Sequence, residues 1–156
     1  MIVVRDAALS DLPAVLPMMR ALKDQHGDPQ RDTAASLEQA FIGPARLGML
    51  LVAEREGAAC GYATAFHTYE TGHAQRGAYV GDLFVAPERR RQGVGQALLA
   101  GVAARVRATG GSFLWWVAQP GNGAAHAFYR RLIDIEDPLR AFAVTSEGFL
   151  RLAEAG

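Results

Sequence analysis

Apolar residues along the chain recur first every three or four positions, then every second position, then every four again. MIVVRDA opens with an apolar run suited to a strand. Ser10 and Asp11 can satisfy the free N–H groups of a helix whose apolar positions are Leu12, Val15, Leu16, Met19 and Leu22. HGDPQRD breaks that helix, and a second is predicted over Thr33 to Phe41, with Leu37, Ala40 and Phe41 inward. After GPARLG the period falls to two. MLLVAERE, ACGYATAFHTY and AYVGDLFVAP read as three strands joined by REGA and the polar stretch ETGHAQRG, an antiparallel meander. Behind Gly93, Val94, Leu98, Val102 and Val106 recur every four residues, flanked by Leu99 and Ala103, and predict an amphipathic helix closed by TGG. SFLWWVA returns to strand. Asn122 can cap a short helix carrying Ala125, Phe128, Tyr129 and Leu132, and RAFAVTSEGFLRL is expected to end the chain as a strand with a terminal turn or short helix. The order is β-α-α-β-β-β-α-β-α-β. It predicts one mixed α/β domain over residues 1–156, its sheet passing from antiparallel to parallel and flanked by helices.

Sixteen basic and sixteen acidic residues among 156 leave no net charge, which argues against a general nucleic-acid binder. No basic leader precedes an apolar run, and no stretch approaches the roughly 20 apolar residues that span a bilayer, so a cytoplasmic protein without membrane partners is expected. The single cysteine, Cys60, excludes an internal disulfide framework and reads as a buried strand thiol. His26, His67, His73 and His126 form no metal-ligand spacing, so no metal is expected. Trp115 and Trp116 should face opposite sides of one strand.

Against this neutral background PERRRQGVGQ concentrates positive charge beside two glycines. Gly93 and Gly95 stand between a strand and an amphipathic helix, where free N–H groups and the helix dipole can surround a phosphate or pyrophosphate. A solvated charge run before a glycine-punctuated helix accounts for the stretch equally well. It is neither a Walker loop, lacking GK[ST], nor G-x-G-x-x-G.

Residues further along separate these readings. V-x-P-x-x-R-x-x-G-x-G is present as Val85, Pro87, Arg90, Gly93 and Gly95, and about 25 residues later N-x-x-A-x-x-F-Y as Asn122, Ala125, Phe128 and Tyr129. Together, in this order and separation, they resemble the GCN5-related N-acetyltransferase superfamily over essentially the whole chain. The resemblance implies an acyl-CoA N-acyltransferase fold and acetyl-CoA as cosubstrate. Its pyrophosphate would lie on the loop of Arg90, Arg91, Gln92, Gly93, Val94, Gly95 and Gln96. Its pantetheine arm would lie along Leu83, Phe84 and Val85 and against Asn122, with Phe128 packing nearby and Tyr129 near the thioester sulfur.

Direct attack by an amine needs a free lone pair, a polarised thioester carbonyl and a proton for the departing thiolate. The main-chain N–H near Phe84 or Val85 is the expected oxyanion donor, and Tyr129 the expected proton donor. AYVGDLFV and GYATAFHTYETG resemble diamine and thialysine N-acetyltransferases. Where those enzymes carry a glutamate this chain has Gly81, with Asp82 retained. Asp82 can take its neighbour's place only through a bulge or rotation of the strand. Glu70, Asp82, His67 or a water chain are the candidates for the base, water assisted by an acidic residue being preferred. A small primary amine is the first expectation for the acceptor. A protein N-terminus or lysine, and a catalytically weak acyl-CoA-binding or sensor domain, are the alternatives. The resemblance is also compatible with a homodimer.

Overall fold

The computed structural model describes residues 1–155 except residue 73, so the expectation for His73 lies outside the described residues. The chain divides into two compact units, Met1–Trp116 and Val117–Gly156. In the first, strands β1 (Ile2–Asp6), β2 (Met49–Arg55), β3 (Ala58–Glu70), β4 (Gln75–Val85) and β5 (Phe113–Trp115) form one sheet in sequence order. The first four are antiparallel, and β5 joins β4 in parallel. Helices α1 (Leu12–His26) and α2 (Ala34–Leu37, continued by a π-helical turn over Glu38–Ile42) lie on one face, and α3 (Val94–Ala108) lies on the other. The second unit holds α4 (Gly123–Tyr129) and α5 (Ser146–Ala153). This is the expected mixed α/β fold.

Each face of the sheet is sealed by one helical stripe. Leu12, Val15, Met19 and Leu22 of α1, with Leu37, pack on Leu50, Val52, Tyr62 and Phe84. On the far side Val94 and Leu98 approach Gly61, and Gly101 lets α3 settle against Val4 and Leu51. Glu56 (φ 56°) and Gly57 (φ 78°) make the tight β2–β3 turn, the positive φ pair that a two-residue hairpin favours. Cys60 is buried and free, as expected, and burial pushes its thiol up, so it stays a thiol.

Three local expectations are corrected. Asp11 does not cap α1 with its side chain. Its carboxylate takes both guanidinium nitrogens of Arg5 at 2.7 Å and the N–H of Ala8 at 2.7 Å, and so ties β1 to the turn before the helix. The second helix is capped by Thr33 but widens to π geometry after Leu37, which carries Phe41 onto Phe66 of β3, ring centroids 5.7 Å apart. The terminal strand does not form. Residues 134–145 have no regular structure, and Phe142 is 91 % exposed. An alternating segment such as AFAV becomes a strand only where another strand offers its edge, and the second unit contains none among its described residues.

The packing at Gly101 makes a direct test. A Cβ there would sit 2.7 Å from Val4 Cγ1 and 3.3 Å from Leu51 Cδ1. Gly101→Val should therefore cost about 1–3 kcal/mol in urea unfolding, the usual range for overpacking, despite the better helix propensity of valine.

Candidate active site

Strand β4 has different partners along its two edges. Toward β3 it is paired along its whole length, whereas β5 covers only Gly77, Ala78 and Tyr79. The N–H of Ala86 donates to Cys60 O at 2.9 Å, which fixes the alternation of the ladder. Stepping back by two pairs Phe84 with Tyr62, so the main-chain groups of Leu83 and Val85 point to the edge that β5 leaves unpaired. Of the two expected oxyanion donors, Phe84 therefore turns its N–H to β3 and Val85 turns its N–H to the open edge. The Phe84 side chain is buried against α1.

The strand continues into a short 3₁₀ turn and then the arginine–glycine loop. Arg91 (φ 59°) and Gly93 (φ 86°) adopt left-handed geometry, and Gly93 caps α3. None of the main-chain N–H groups from Arg91 through Val94 and Gly95 to Gln96 has a hydrogen-bond acceptor among the described residues. Six successive donors stand at the start of a fifteen-residue helix, whose dipole adds positive potential there, an arrangement able to take an anion. The three arginines are used unequally. Arg89 pairs with Glu56 at 2.9 Å, and Arg90 donates from Nε to Val85 O at 3.0 Å with its guanidinium over the Phe84 ring. Arg91 is exposed and carries no ion pair among the described residues. Gln92 donates to Glu88 O at 2.9 Å and accepts from Arg55, which steadies the loop.

Above this edge the sheet is bulged. Thr64 faces Asp82 and Ala65 faces Val80, leaving Gly81 as the extra residue. The Asp82 N–H released by the bulge is taken by Thr64 Oγ1 at 2.9 Å. A Cβ on Gly81 would lie 3.0 Å from that same Oγ1 and 3.3 Å from the Phe66 ring. Position 81 and Asp82 thus share the α1 side of the sheet, since a bulge puts two consecutive residues opposite one. This is the rotation that Asp82 needed to stand in for its neighbour. Its Oδ2 accepts from Tyr62 Oη at 3.3 Å. Burial pushes the Asp82 carboxyl above its ordinary value, with Asp32 adding to the rise, while Lys23, the Tyr62 hydroxyl and His26 oppose it. Tyr62 and Thr64 were not singled out in the sequence; Y-x-T-x-F within GYATAF marks them as one face of a strand, but only the bulge reveals what they hold.

Glu70 lies elsewhere. It ends β3 and accepts from the N–H of Gly72 at 2.7 Å in the hairpin turn. Six residues separate it along β3 from Thr64, the partner of Asp82, roughly 20 Å at about 3.3 Å per residue. The structure does not bring the two carboxylates together.

In the second unit Asn122 Oδ1 accepts from Ala125 N–H at 3.2 Å and caps α4. Phe128 and Tyr129 end that helix with ring centroids 5.3 Å apart, and Arg131 lies over Phe128. Burial pushes the Tyr129 phenol up, so it remains protonated through the neutral range. Among the described residues no three His, Cys, Asp or Glu side chains converge as metal ligands, and no helix is long and apolar enough to cross a membrane.

A bulged strand whose outer partner stops at Tyr79 runs into a glycine loop at a helix start. The sequence model of the acetyltransferase (GNAT) family matches residues 15–133, and the chain belongs to that family. The fold is shared with solved structures of low identity. One is the aminoglycoside acetyltransferase meta-AAC0020 from an uncultured soil metagenomic sample, with 20 % identity, 94 % of this chain and 97 % of that chain covered, and a TM-score of 0.77. Another is the ribosomal-protein-alanine N-acetyltransferase of Brucella melitensis biovar Abortus 2308, with 17 % identity, 94 % and 100 % covered, and a TM-score of 0.76. No curated protein matches the sequence significantly.

The raised pKa of Asp82 has a thermodynamic consequence. Its folded-state pKa exceeds the unfolded one, so ionisation costs stability once pH rises above the folded value, and costs nothing below the unfolded value of about 3.9. Asp82→Asn should therefore be more stable than wild type at pH 7 in urea unfolding. The advantage should shrink to nothing by about pH 3.5. A variant no more stable at pH 7 would show that the buried carboxylate is not under strain.

Proposed function

We propose that the protein transfers the acetyl group of acetyl-CoA to the primary amine of a small molecule by direct attack in a ternary complex. The observation that carries this reading is the run of six unpartnered N–H groups, Arg91 to Gln96, adjoining the open edge of β4. The donor set suits the cosubstrate: the loop offers main-chain donors to a pyrophosphate, Arg91 adds charge, and Leu83 and Val85 offer peptide groups to an amide-bearing arm. When bound, acetyl-CoA supplies an acetyl group activated as a thioester.

The chain's own residues then have distinct tasks. Val85 donates its N–H to the thioester carbonyl oxygen, where negative charge grows as the amine attacks. Asp82 accepts the first proton of the incoming ammonium, which frees the nitrogen lone pair. Its raised pKa moves it from a poor base toward the neutral range where a base is effective. As the C–N bond forms and the C–S bond breaks, Tyr129 gives its phenolic proton to sulfur and is reprotonated at the expense of the second amine proton. Asp82 is preferred to Glu70, which the hairpin holds far from the open edge, and to a base drawn from water alone. A retained, desolvated carboxylate also favours an enzyme over a passive acyl-CoA sensor.

Three variants test this assignment. Gly95→Asp puts a carboxylate in the first turn of α3, where the dipole stabilises the fold but the charge opposes a pyrophosphate. Acetyl-CoA affinity by calorimetry should fall more than about tenfold while unfolding is little changed. Asp82→Asn should lower kcat/KM by roughly 10²-fold or more, the range expected for a lost general base. Tyr129→Phe should slow single-turnover transfer by about 10²-fold with acetyl-CoA affinity retained. A chemical step within about twofold of wild type would remove the tyrosine from the mechanism.

A further inference from the structure

The side of the sheet that carries Asp82 also carries a row of aromatic rings that the transfer chemistry does not use. Phe41, delivered by the π-helical turn, lies against Phe66 with centroids 5.7 Å apart. Phe66 is directly opposite Tyr79 in the β3–β4 ladder, and directly opposite residues share a face. Tyr79 in turn pairs with Trp115 of β5, centroids 4.5 Å apart. Four rings therefore cross the sheet from α2 to its outer strand. Their burial is incomplete: Phe41, Phe66 and Tyr79 are half-buried, and Trp115 is 44 % exposed. A row needed only for packing would be covered, as Tyr62 and Phe84 are under α1.

Gly81 brings bare main chain to the surface of this floor. It lies on β4 between Tyr79 and Asp82 and is exposed, and a Cβ there would press on Thr64 and the Phe66 ring. An amine lying over it meets Asp82 on one side and aromatic faces on the other. The charges around Asp82 limit what else the acceptor can carry. Lys23 bonds Asp32 at 3.1 Å, and both act on Asp82, together with His26. The Asp32 carboxylate there is already shared with a resident cation, so a second ammonium on the acceptor would compete with Lys23 for it.

We propose that the acceptor is a monoamine carried on a flat aromatic body by a short linker, with its ring on Phe66, Tyr79 and Trp115 and its nitrogen over the exposed main chain of Gly81 beside Asp82. This specificity rests on the acetyltransferase reading above and narrows it, setting aside linear diamines and polycationic sugars. Stacking and edge contacts of this kind favour an aromatic over an aliphatic body of like size.

The test compares 2-phenylethylamine, butylamine and putrescine as acceptors by thiol release at saturating acetyl-CoA, with acetyl-CoA binding measured separately by calorimetry. Phenylethylamine should give a kcat/KM at least about tenfold above either of the others, in line with one or two aromatic contacts. In Trp115→Leu, a change at an exposed edge position that the fold should tolerate, the ratio of phenylethylamine to butylamine should fall several-fold. In Gly81→Val, a side chain standing between Asp82 and the rings should abolish transfer to phenylethylamine while calorimetric acetyl-CoA binding persists. Acetyl-CoA binding combined with equal turnover of the three amines, or a preference for putrescine, would overturn the aromatic specificity and leave the acetyltransferase standing. Failure to bind acetyl-CoA at all would overturn both. If Gly81→Val does not fold, the Trp115→Leu ratio decides alone, and an unchanged ratio overturns the proposal.

Discussion

The unequal edges of β4 are the constraint on which the rest of the site depends. A strand in the middle of a sheet normally spends every main-chain group on its neighbours. Here β5 is three residues long and stops opposite Tyr79, so the main-chain groups of Leu83 and the N–H of Val85 are left outside the ladder, while Val85 O accepts from Arg90. Because β3 holds the other edge along its full length, that exposure does not loosen the strand. The same strand then delivers the chain into the arginine–glycine loop, where α3 begins with its N–H groups unused. Peptide donors thus occur both at the strand edge and at the helix start, separated by the 3₁₀ turn, where Ala86, Arg89 and Arg90 spend their N–H groups on the protein. The rigid backing is supplied by Val94 and Leu98 of α3 against Gly61 on one face and by the α1 stripe on the other.

Two carboxylates in the first unit show how environment assigns different work to the same side chain. Asp11 is buried but faces Arg5 in a two-point bond, with Glu54 also on that guanidinium, and the arginine holds its pKa below the ordinary carboxylate range. A charge satisfied in this way is a structural tie between β1, β2 and the start of α1, and it has no reason to change state near neutrality. Asp82 receives only a 3.3 Å bond from Tyr62 and a more remote attraction from Lys23 and His26, and burial outweighs them. A carboxylate raised in this way is free to take a proton. Asp82 keeps the alternation that puts Phe84 on the α1 face, and the bulge brings position 81 onto that face beside it.

The aromatic row gives the same face a second character. The π-helical turn after Leu37 advances Phe41 to Phe66, and the parallel join of β5 brings Trp115 beside Tyr79. Phe41 and Ile42 of that turn also pack against the core cluster under α1. The turn and the β5 join together shape the surface near Asp82. Selectivity for an acceptor can therefore change through these rings without disturbing the loop and strand edge that would hold the cosubstrate.

Much of this was legible in the chain itself. The change of period at residue 49, the REGA turn and the four-residue recurrence after Gly93 determined the meander, its hairpin and the helix that follows, because burial of one face imposes a period on the sequence. V-x-P-x-x-R-x-x-G-x-G placed the left-handed turn and the start of α3 for the same local reason: left-handed backbone and free N–H groups need glycine and a helix start. What depended on partners was not legible. Whether AFAV becomes a strand is decided by an available edge, and none is present among the described residues of its unit. Whether Asp11 caps a helix or binds Arg5 is decided by where β1 lies. Position 81 joins Asp82 on one face through a register shift against β3, where the Thr64 hydroxyl takes the N–H of Asp82 from eighteen positions away. Local pattern settles what each segment can form, while pairing between distant segments settles which main-chain groups are left over, and the candidate chemistry is built from those.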